Sequence, residues 1–297
     1  MNKTPIRYAG GKTKAIKHIL PYFPKDLTMV VSPFIGGGSL EVHLTNLGIR
    51  VHGFDIFKPL VIFWNELIWE NSDLVKRLQE IHPNEDEYKR IKEMLIAWEY
   101  TQDMLKDWKT DYYKRANPIK LSSLEIAAYY FFNHNTSYGP GYLGWPSSVY
   151  LTQEKWDLMI RNIAGFNGKL LQVIESDFTD VLSAYPDDFL YLDPPYYMGN
   201  DADNKMFTPI YPMRNIPVHH TGFDHEKLRD LLHNHRGKFI MSYNNCETIR
   251  EWYKDFRLEY PKWNYSMGNG EIRSGENRIK DGNLNSKDSH EILIIKE

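Results

Sequence analysis

One cysteine, Cys246, stands in a chain of 297 residues. A single thiol excludes a disulfide framework and any zinc cluster built on cysteine, and it leaves one possible thiolate nucleophile. Long apolar runs are missing as well. None approaches the ~20 residues that cross a bilayer, so no membrane partner is expected. The start MNKTPIRYAGGK lacks the apolar stretch of a signal peptide, and a cytoplasmic location is the expectation. Neither a repeat nor a low-complexity tract is present. Positive charge is not in excess either, since 36 Lys and Arg meet 39 Asp and Glu for a net −3. Any basic surface must therefore be sought in the distribution of charge rather than in its sum.

What is present is a globular composition, with 42% hydrophobic and 25% charged residues and a raised share of Tyr (20) and Trp (8). The length suits one large α/β domain carrying an insertion, at ~100–200 residues per domain. Charge is uneven along it. Lys3, Arg7, Lys12, Lys14, Lys17 and Lys25 face Asp26 alone in residues 1–28, whereas residues 175–203 are acidic and hold no Lys or Arg.

Hydrophobic periodicity predicts the element order. Residues 12–20 read as a short helix ended by Pro21. Residues 28–33 form an apolar run suited to a buried parallel strand, followed by the loop Gly36-Gly37-Gly38 and a helix with Ser39 as its N-cap. A second strand spans 49–55, and further strands are predicted at 170–174, 189–193, 238–243 and 290–296, with a helix between Asp224 and His235. Two loops, 197–221 and 266–289, read as mobile or functional. Residues 59–168 read as a mainly helical inserted subdomain, and 1–58 with 169–297 as the catalytic domain. The expected class is α/β, a doubly wound and mostly parallel sheet with ligand sites at the carboxyl ends of its strands.

Asp193-Pro194-Pro195-Tyr196 follows the apolar strand FLYLD. Two prolines cannot continue a strand, so the chain leaves the sheet there as a stiff extended turn. One carboxylate, one proline carbonyl and one aromatic ring are thereby placed together at the sheet's edge. Such a trio suits a planar amine: the two acceptors take its two N–H bonds while the ring stacks on the base that carries it. The glycine loop after the first strand lets backbone approach a nucleoside ligand. A dinucleotide fingerprint would need glycine where Glu41 stands, and a phosphate loop would need it where Ile6 stands, so neither motif is complete. Asp55 ends the next strand, where an acid can bind both ribose hydroxyls. A ligand with a ribose and no phosphate fits best, and S-adenosyl-methionine is the expected cofactor.

Together these letters resemble the Dam-like DNA adenine N6-methyltransferases. Tyr8-Ala9-Gly10-Gly11-Lys12 matches the family's first element, Pro33 through Ser39 its Pro-Phe-x-Gly-x-Gly-Ser, Asp55 its acid, Asp177-Phe178 its Asp-Phe, and Asp193 through Tyr196 its Asp-Pro-Pro-Tyr. Weaker matches extend to Ser242-Tyr243-Asn244-Asn245 and the final strand, so the resemblance covers nearly the whole chain. It implies a Rossmann-like methyltransferase fold with an inserted DNA-recognition subdomain. A cofactor pocket would be lined by Tyr8, Ala9, Gly10, Lys12, Phe34, Gly36, Gly38, Ser39, Asp55, Asp177, Phe178 and Asp193. Catalysis would fall to Asp193, Pro194, Pro195 and Tyr196.

The resemblance also implies that the insertion, including a hairpin near 133–150, reads double-stranded DNA, with Asn133, Asn135 and Tyr138 as candidates. No arginine occurs between Asn133 and Lys155, so the GATC site of Dam itself is not carried over. Lys3, Arg7, Lys14, Arg273 and Arg278 are candidate phosphate contacts, joined by Lys114, Arg115, Lys120 and Lys280. The expected activity is methyl transfer from S-adenosyl-methionine to N6 of a flipped adenine, leaving S-adenosyl-homocysteine, within restriction-modification or DNA marking. A cognate endonuclease would act separately, in a bacterial cell or in the host of a phage or virus. No metal is expected, because the eleven histidines show no ligand spacing. Alternatives that keep the same letters are a cytosine-N4 or RNA adenine methyltransferase, or a DNA-binding module with a vestigial pocket.

Overall fold

The computed structural model describes residues 3–8, 10–101, 119–138, 141–197, 222–261, 264–265, 287–288 and 291–297. Ala9, both Arg273 and Arg278, Lys114, Arg115 and Lys280 lie outside the described residues, as do 198–221 and most of 266–289.

The main strands are β1 (Met29–Ser32), β2 (Arg50–Asp55), β3 (Leu171–Glu175), β4 (Leu190–Leu192), β5 (Phe239–Asn244), β6 (Arg257–Glu259) and, last in the chain, β9 (Glu291–Lys296). They form a seven-stranded sheet in the order β3-β2-β1-β4-β5-β9-β6. Those at the centre of the sheet, β4, β5 and β9, are buried on both faces, while β3 and β6 are partly exposed. A short pair, β7 (Asn264–Tyr265) and β8 (Lys287–Asp288), stands apart. Strands β1 to β5 run parallel, and β9 is antiparallel to both neighbours. Side chains alternate between faces, as the pleat requires. Val30, Tyr191, Ile240 and Leu293 join one core cluster, while Val31, Leu190, Met241 and Ile294 join the other.

Helices cover both faces. On the second face lie α8 (Phe178–Ala184), α9 (His225–Asn234) and α10 (Glu247–Trp252), contributing Val181, Leu228 and Ile249. The first face receives α2 (Ser39–Asn46) and the long excursion between β2 and β3: α3 (Lys58–Trp69), α4 (Asn71–Gln79), α5 (Glu85–Thr101), α6 (Ser123–Thr136) and α7 (Gln153–Ala164). One hydrophobic cluster runs from the sheet through α3 to α7. The helical region therefore shares the sheet's core, and α3 doubles as part of the β2–β3 crossover. At its centre α6 is buried from Ile126 to Thr136, started by a capping box between Ser122 and Glu125.

Two local expectations change. The helix read over 12–20 is broken into a 3-10 turn (Lys12–Lys14), α1 (Ile16–Ile19) and a second 3-10 turn (Leu20–Tyr22) that takes Pro21 near its start. Ser39 is the first helical residue of α2 rather than its cap. Gly38 occupies the cap position with φ +62°, a left-handed conformation that a side chain disfavours. Among the described residues no helix is long and apolar enough to cross a membrane.

Candidate active site

The strand order reverses beside β1. The chain moves outward through β2 and β3, then returns to place β4 on the other side of β1. Open α/β sheets bind ligands in the crevice at the carboxyl ends of the strands flanking such a reversal. A cavity of about 410 Å³ lies there. Tyr8, Gly10, Lys12, Phe34, Gly36, Gly38, Ser39, Asp55, Asp177, Phe178 and Asp193 through Tyr196 all line it.

The loop after β1 is built by exclusion of side chains. A Cβ on Gly37 would come within 2.5 Å of the Tyr8 Cβ, and one on Gly38 within 2.8 Å of the Trp64 ring. Gly36 donates its N–H to Asp55 Oδ2 at 3.0 Å and accepts from Trp64 Nε1 at 3.0 Å. Asp55 Oδ1 takes the Phe57 N–H at 2.9 Å. Burial pushes the Asp55 carboxyl up to about 6, against the pull of these backbone donors. At the far wall Asp177 caps α8, its Oδ1 accepting from the Thr179 N–H at 2.9 Å and from the Thr179 hydroxyl at 2.6 Å. Phe34, Phe178 and Phe223 form an aromatic triplet there, with ring centroids 5.0–5.7 Å apart.

Across the cavity the double-proline corner carries a buried ionic cluster. The Lys12 ammonium lies 2.8 Å from Asp193 Oδ1 and 3.3 Å from Glu291 Oε1, and donates to the Tyr196 hydroxyl at 3.0 Å. Tyr196 in turn donates to Glu291 Oε1. Burial pushes the Asp193 carboxyl up to about 6; Lys12 opposes that rise and Glu291 adds to it. Asn244 locks the segment behind the corner, accepting the Tyr197 N–H at 2.8 Å and donating to its carbonyl at 3.0 Å. This gives the Ser-Tyr-Asn stretch a physical purpose. Glu41, with Oε1 accepting from Ser32 at 2.8 Å, also reaches the cavity, its carboxyl pushed up to about 7 chiefly by burial.

Sequence reasoning missed Glu41, Phe223 and Glu291. Glu291 carried a faint signal, as the one acid opening the apolar strand EILIIK. The others are visible only once distant segments meet.

The candidate DNA contacts divide. Lys3, Lys14 and Lys120 are exposed. Tyr138 is 61% exposed and Trp145 70%, and the Tyr138 N–H bonds to the Trp145 carbonyl at 2.7 Å beside the antiparallel bridge of Ser137 with Pro146. Asn133 and Asn135, however, are wholly buried at the end of α6. Their roles correct the expectation of DNA contact. Asn133 Oδ1 takes the Leu143 N–H at 2.6 Å, and Asn135 Oδ1 takes the Arg7 N–H at 2.8 Å. Arg7 is engaged as well. Its guanidinium donates to the Asn135 carbonyl at 2.5 Å and lies 3.4 Å over the Tyr150 ring. His134 Nε2 donates to the Arg7 carbonyl at 2.6 Å, and its ring stacks on Tyr8, centroids 5.7 Å apart. These residues tie the N-terminal segment to the hairpin instead of facing a phosphate.

A cavity of this size at the switch point of a doubly wound sheet, with a glycine loop on one side and the double-proline corner on the other, makes this a Rossmann-like methyltransferase domain. More narrowly, the chain belongs to the D12 class of N6 adenine-specific DNA methyltransferases, whose family model matches residues 8–267. It is 29% identical over 213 residues to Modification methylase StsI of Streptococcus sanguinis, covering 68% of this chain and 30% of that protein. With Type II methyltransferase M.FokI of Planomicrobium okeanokoites it shares 25% over 296 residues, covering 93% and 42%. Type II methyltransferase M1.LlaDCHI of Lactococcus lactis subsp. cremoris is 23% identical over 281 residues, covering 92% and 91%. The chain thus spans less than half the length of the first two relatives.

Proposed function

We propose that the protein transfers a methyl group from S-adenosyl-methionine to N6 of an adenine extruded from double-stranded DNA. The observation that carries this reading is the sharing of one cavity by the Asp55 and glycine-loop wall and the Asp193-to-Tyr196 corner. The cofactor fits the residues present. A cavity of about 410 Å³ lies within the ~300–1,000 Å³ usual for such ligands, and the glycine cradle admits no Cβ at Gly37 or Gly38. Asp55 would hold the ribose hydroxyls, Asp177 the adenine amine, and the Phe34, Phe178 and Phe223 rings the purine faces. Tyr8 would close the loop over the ligand. When bound, the cofactor supplies an electrophilic methyl group and departs as S-adenosyl-homocysteine.

The target amine is buried in a duplex, so its nucleotide has to leave the stack at a cost of a few kcal/mol. Tyr196 would supply the replacement stacking surface. Asp193 and the Pro194 carbonyl would accept the two amine hydrogens, drawing the nitrogen toward tetrahedral geometry and aiming its lone pair. Pro195 keeps the turn extended. Orientation and exclusion of water account for the acceleration, and no covalent enzyme intermediate is needed. Cys246, wholly buried, has no part in it.

Duplex DNA is the proposed partner, met in the cytoplasm. The names of the relatives, a modification methylase and type II methyltransferases, support a restriction-modification setting with an endonuclease acting separately. The test is transfer of tritiated methyl groups to duplex DNA and to RNA, followed by digestion to nucleosides. Label in N6-methyldeoxyadenosine is expected, and Asp193→Ala should lower turnover on the order of 10²–10³-fold or more. Label in N4-methylcytosine, or in RNA alone, would overturn the reading.

A further inference from the structure

Strand β9 is the one reversed strand of the sheet, and the reversal brings its first residue to the edge where the parallel strands end. Glu291 pairs in register with Asn244, the last residue of β5. The residue is 2% exposed, and its fully buried carboxylate joins three separate segments. Oε1 accepts from the Tyr196 hydroxyl and lies 3.3 Å from the Lys12 ammonium, while Oε2 accepts from the Ser242 hydroxyl at 2.8 Å. Glu291 is not among the residues lining the cavity, so it stands behind the corner rather than in it.

On this geometry, and resting on the methyl-transfer reading above, we infer that Glu291 is a positioning residue for the reaction. It holds the Tyr196 phenol and the Lys12 ammonium, and through them sets the Tyr196 ring and the Asp193 carboxylate against the target amine. Sealing the sheet edge would not require a charge. The next four residues of β9, Ile292 to Ile295, are apolar, and burying a carboxylate costs several kcal/mol unless it is paired. What the acid adds is directional: Oε2 is anchored by the Ser242 hydroxyl, and Oε1 fixes a phenol and an ammonium that apolar contact would leave free to rotate. A displacement of about 1 Å at a reacting group can cost on the order of 10²-fold in rate.

Charge is the second consequence. Asp193 is faced by Lys12 from the first 3-10 turn, Glu41 from α2, Tyr191 from β4, the Tyr196 hydroxyl from the corner and Glu291 from β9. Glu291 is one of the acids that favour the protonated form of Asp193. Neutralising it should make Asp193 easier to ionise.

Glu291→Gln keeps the shape and an acceptor for Tyr196 while removing the charge; Glu291→Ala removes both. In the full chain labelled with 13C-aspartate, the Asp193 carboxyl should titrate near 6 in the wild type and at lower pH in Glu291→Gln. In the transfer assay, kcat should fall on the order of 10²-fold in Glu291→Ala and by a smaller factor in Glu291→Gln, with KM for S-adenosyl-methionine changed less than about twofold. Tyr196→Phe should add little to Glu291→Ala, because both break the same contact. An unmoved Asp193 midpoint, or fully additive losses in the double variant, would overturn the inference. If the wild type labels no nucleic acid, the proposed activity fails, and the Asp193 titration still decides whether Glu291 acts on the corner.

Discussion

Glu41 shows how tightly charge is constrained around the corner. It is 3% exposed on α2, burial pushes its carboxyl up to about 7, and the nearby Asp193 carboxylate adds to that rise. A folded-state value above the unfolded one means that stability is retained at low pH and lost as pH rises through about 7. Glu41→Gln mimics the protonated acid at every pH. Denaturant unfolding should therefore show little difference from the wild type near pH 3, a gap that opens between about 4.5 and 7, and a stabilisation of roughly 3 kcal/mol at pH 9, at 1.36 kcal/mol per pKa unit. An equal difference at both extremes would place the origin in packing instead of titration. Asp193 and Asp55, raised to about 6, follow the same sign, so the site trades stability for carboxylates that are charged at neutral pH.

Among the elements, the turn from β1 into α2 is the least forgiving. Tyr8 lies between two partners: its ring packs on the Gly36-Gly37 backbone and stacks on His134 at the end of α6. The N-terminal segment is thereby a strap between the glycine loop and the helical region, held by Asn135 on one side and by the Thr4 hydroxyl on the Gly37 carbonyl on the other. Gly37→Ala should force Tyr8 aside. Overpacking of this kind costs about 1–3 kcal/mol, and each 1.4 kcal/mol is tenfold in affinity. Calorimetry should show S-adenosyl-methionine binding weakened roughly tenfold or more, with the far-UV spectrum unchanged. Wild-type affinity in that variant would separate Tyr8 from the cofactor.

At the scale of the molecule, the proposed duplex partner would have to be attracted to a chain of net −3 through local charge. Arg7 is committed to Asn135 and Tyr150, which leaves Lys3 and Lys14 as the exposed cations of the N-terminal segment that sequence reading singled out. Each phosphate contact contributes close to one unit to the slope of log affinity against log salt. Fluorescence anisotropy on duplex DNA across a salt series should thus give a slope about one unit shallower for Lys3→Ala and for Lys14→Ala, with sequence preference kept. An unchanged slope would move the phosphate contacts elsewhere on the surface.

Much of this is legible in the order of the amino acids. Val30 and Val31 in β1 and Leu190 to Leu192 in β4 announced a buried parallel sheet because a strand covered on both faces must be apolar throughout. Pro194 and Pro195 announced the corner because proline restricts its own backbone and that of its predecessor. Asn133 and Asn135 were misread for the complementary reason. The resemblance placed them in a DNA-reading hairpin, and only packing reveals that both lie inside at the end of α6, each Oδ1 taking a distant backbone N–H. Local preferences are carried by a residue and its near neighbours, so strands, turns and the amine-accepting trio could be written down from the order of amino acids. Lys12 meets Tyr196 across 184 positions and Tyr196 meets Glu291 across 95, and such encounters follow from strand order and burial. Folding alone supplied the ionic cluster behind Asp193, because no periodicity along the chain encodes which distant charges will share a low-dielectric interior.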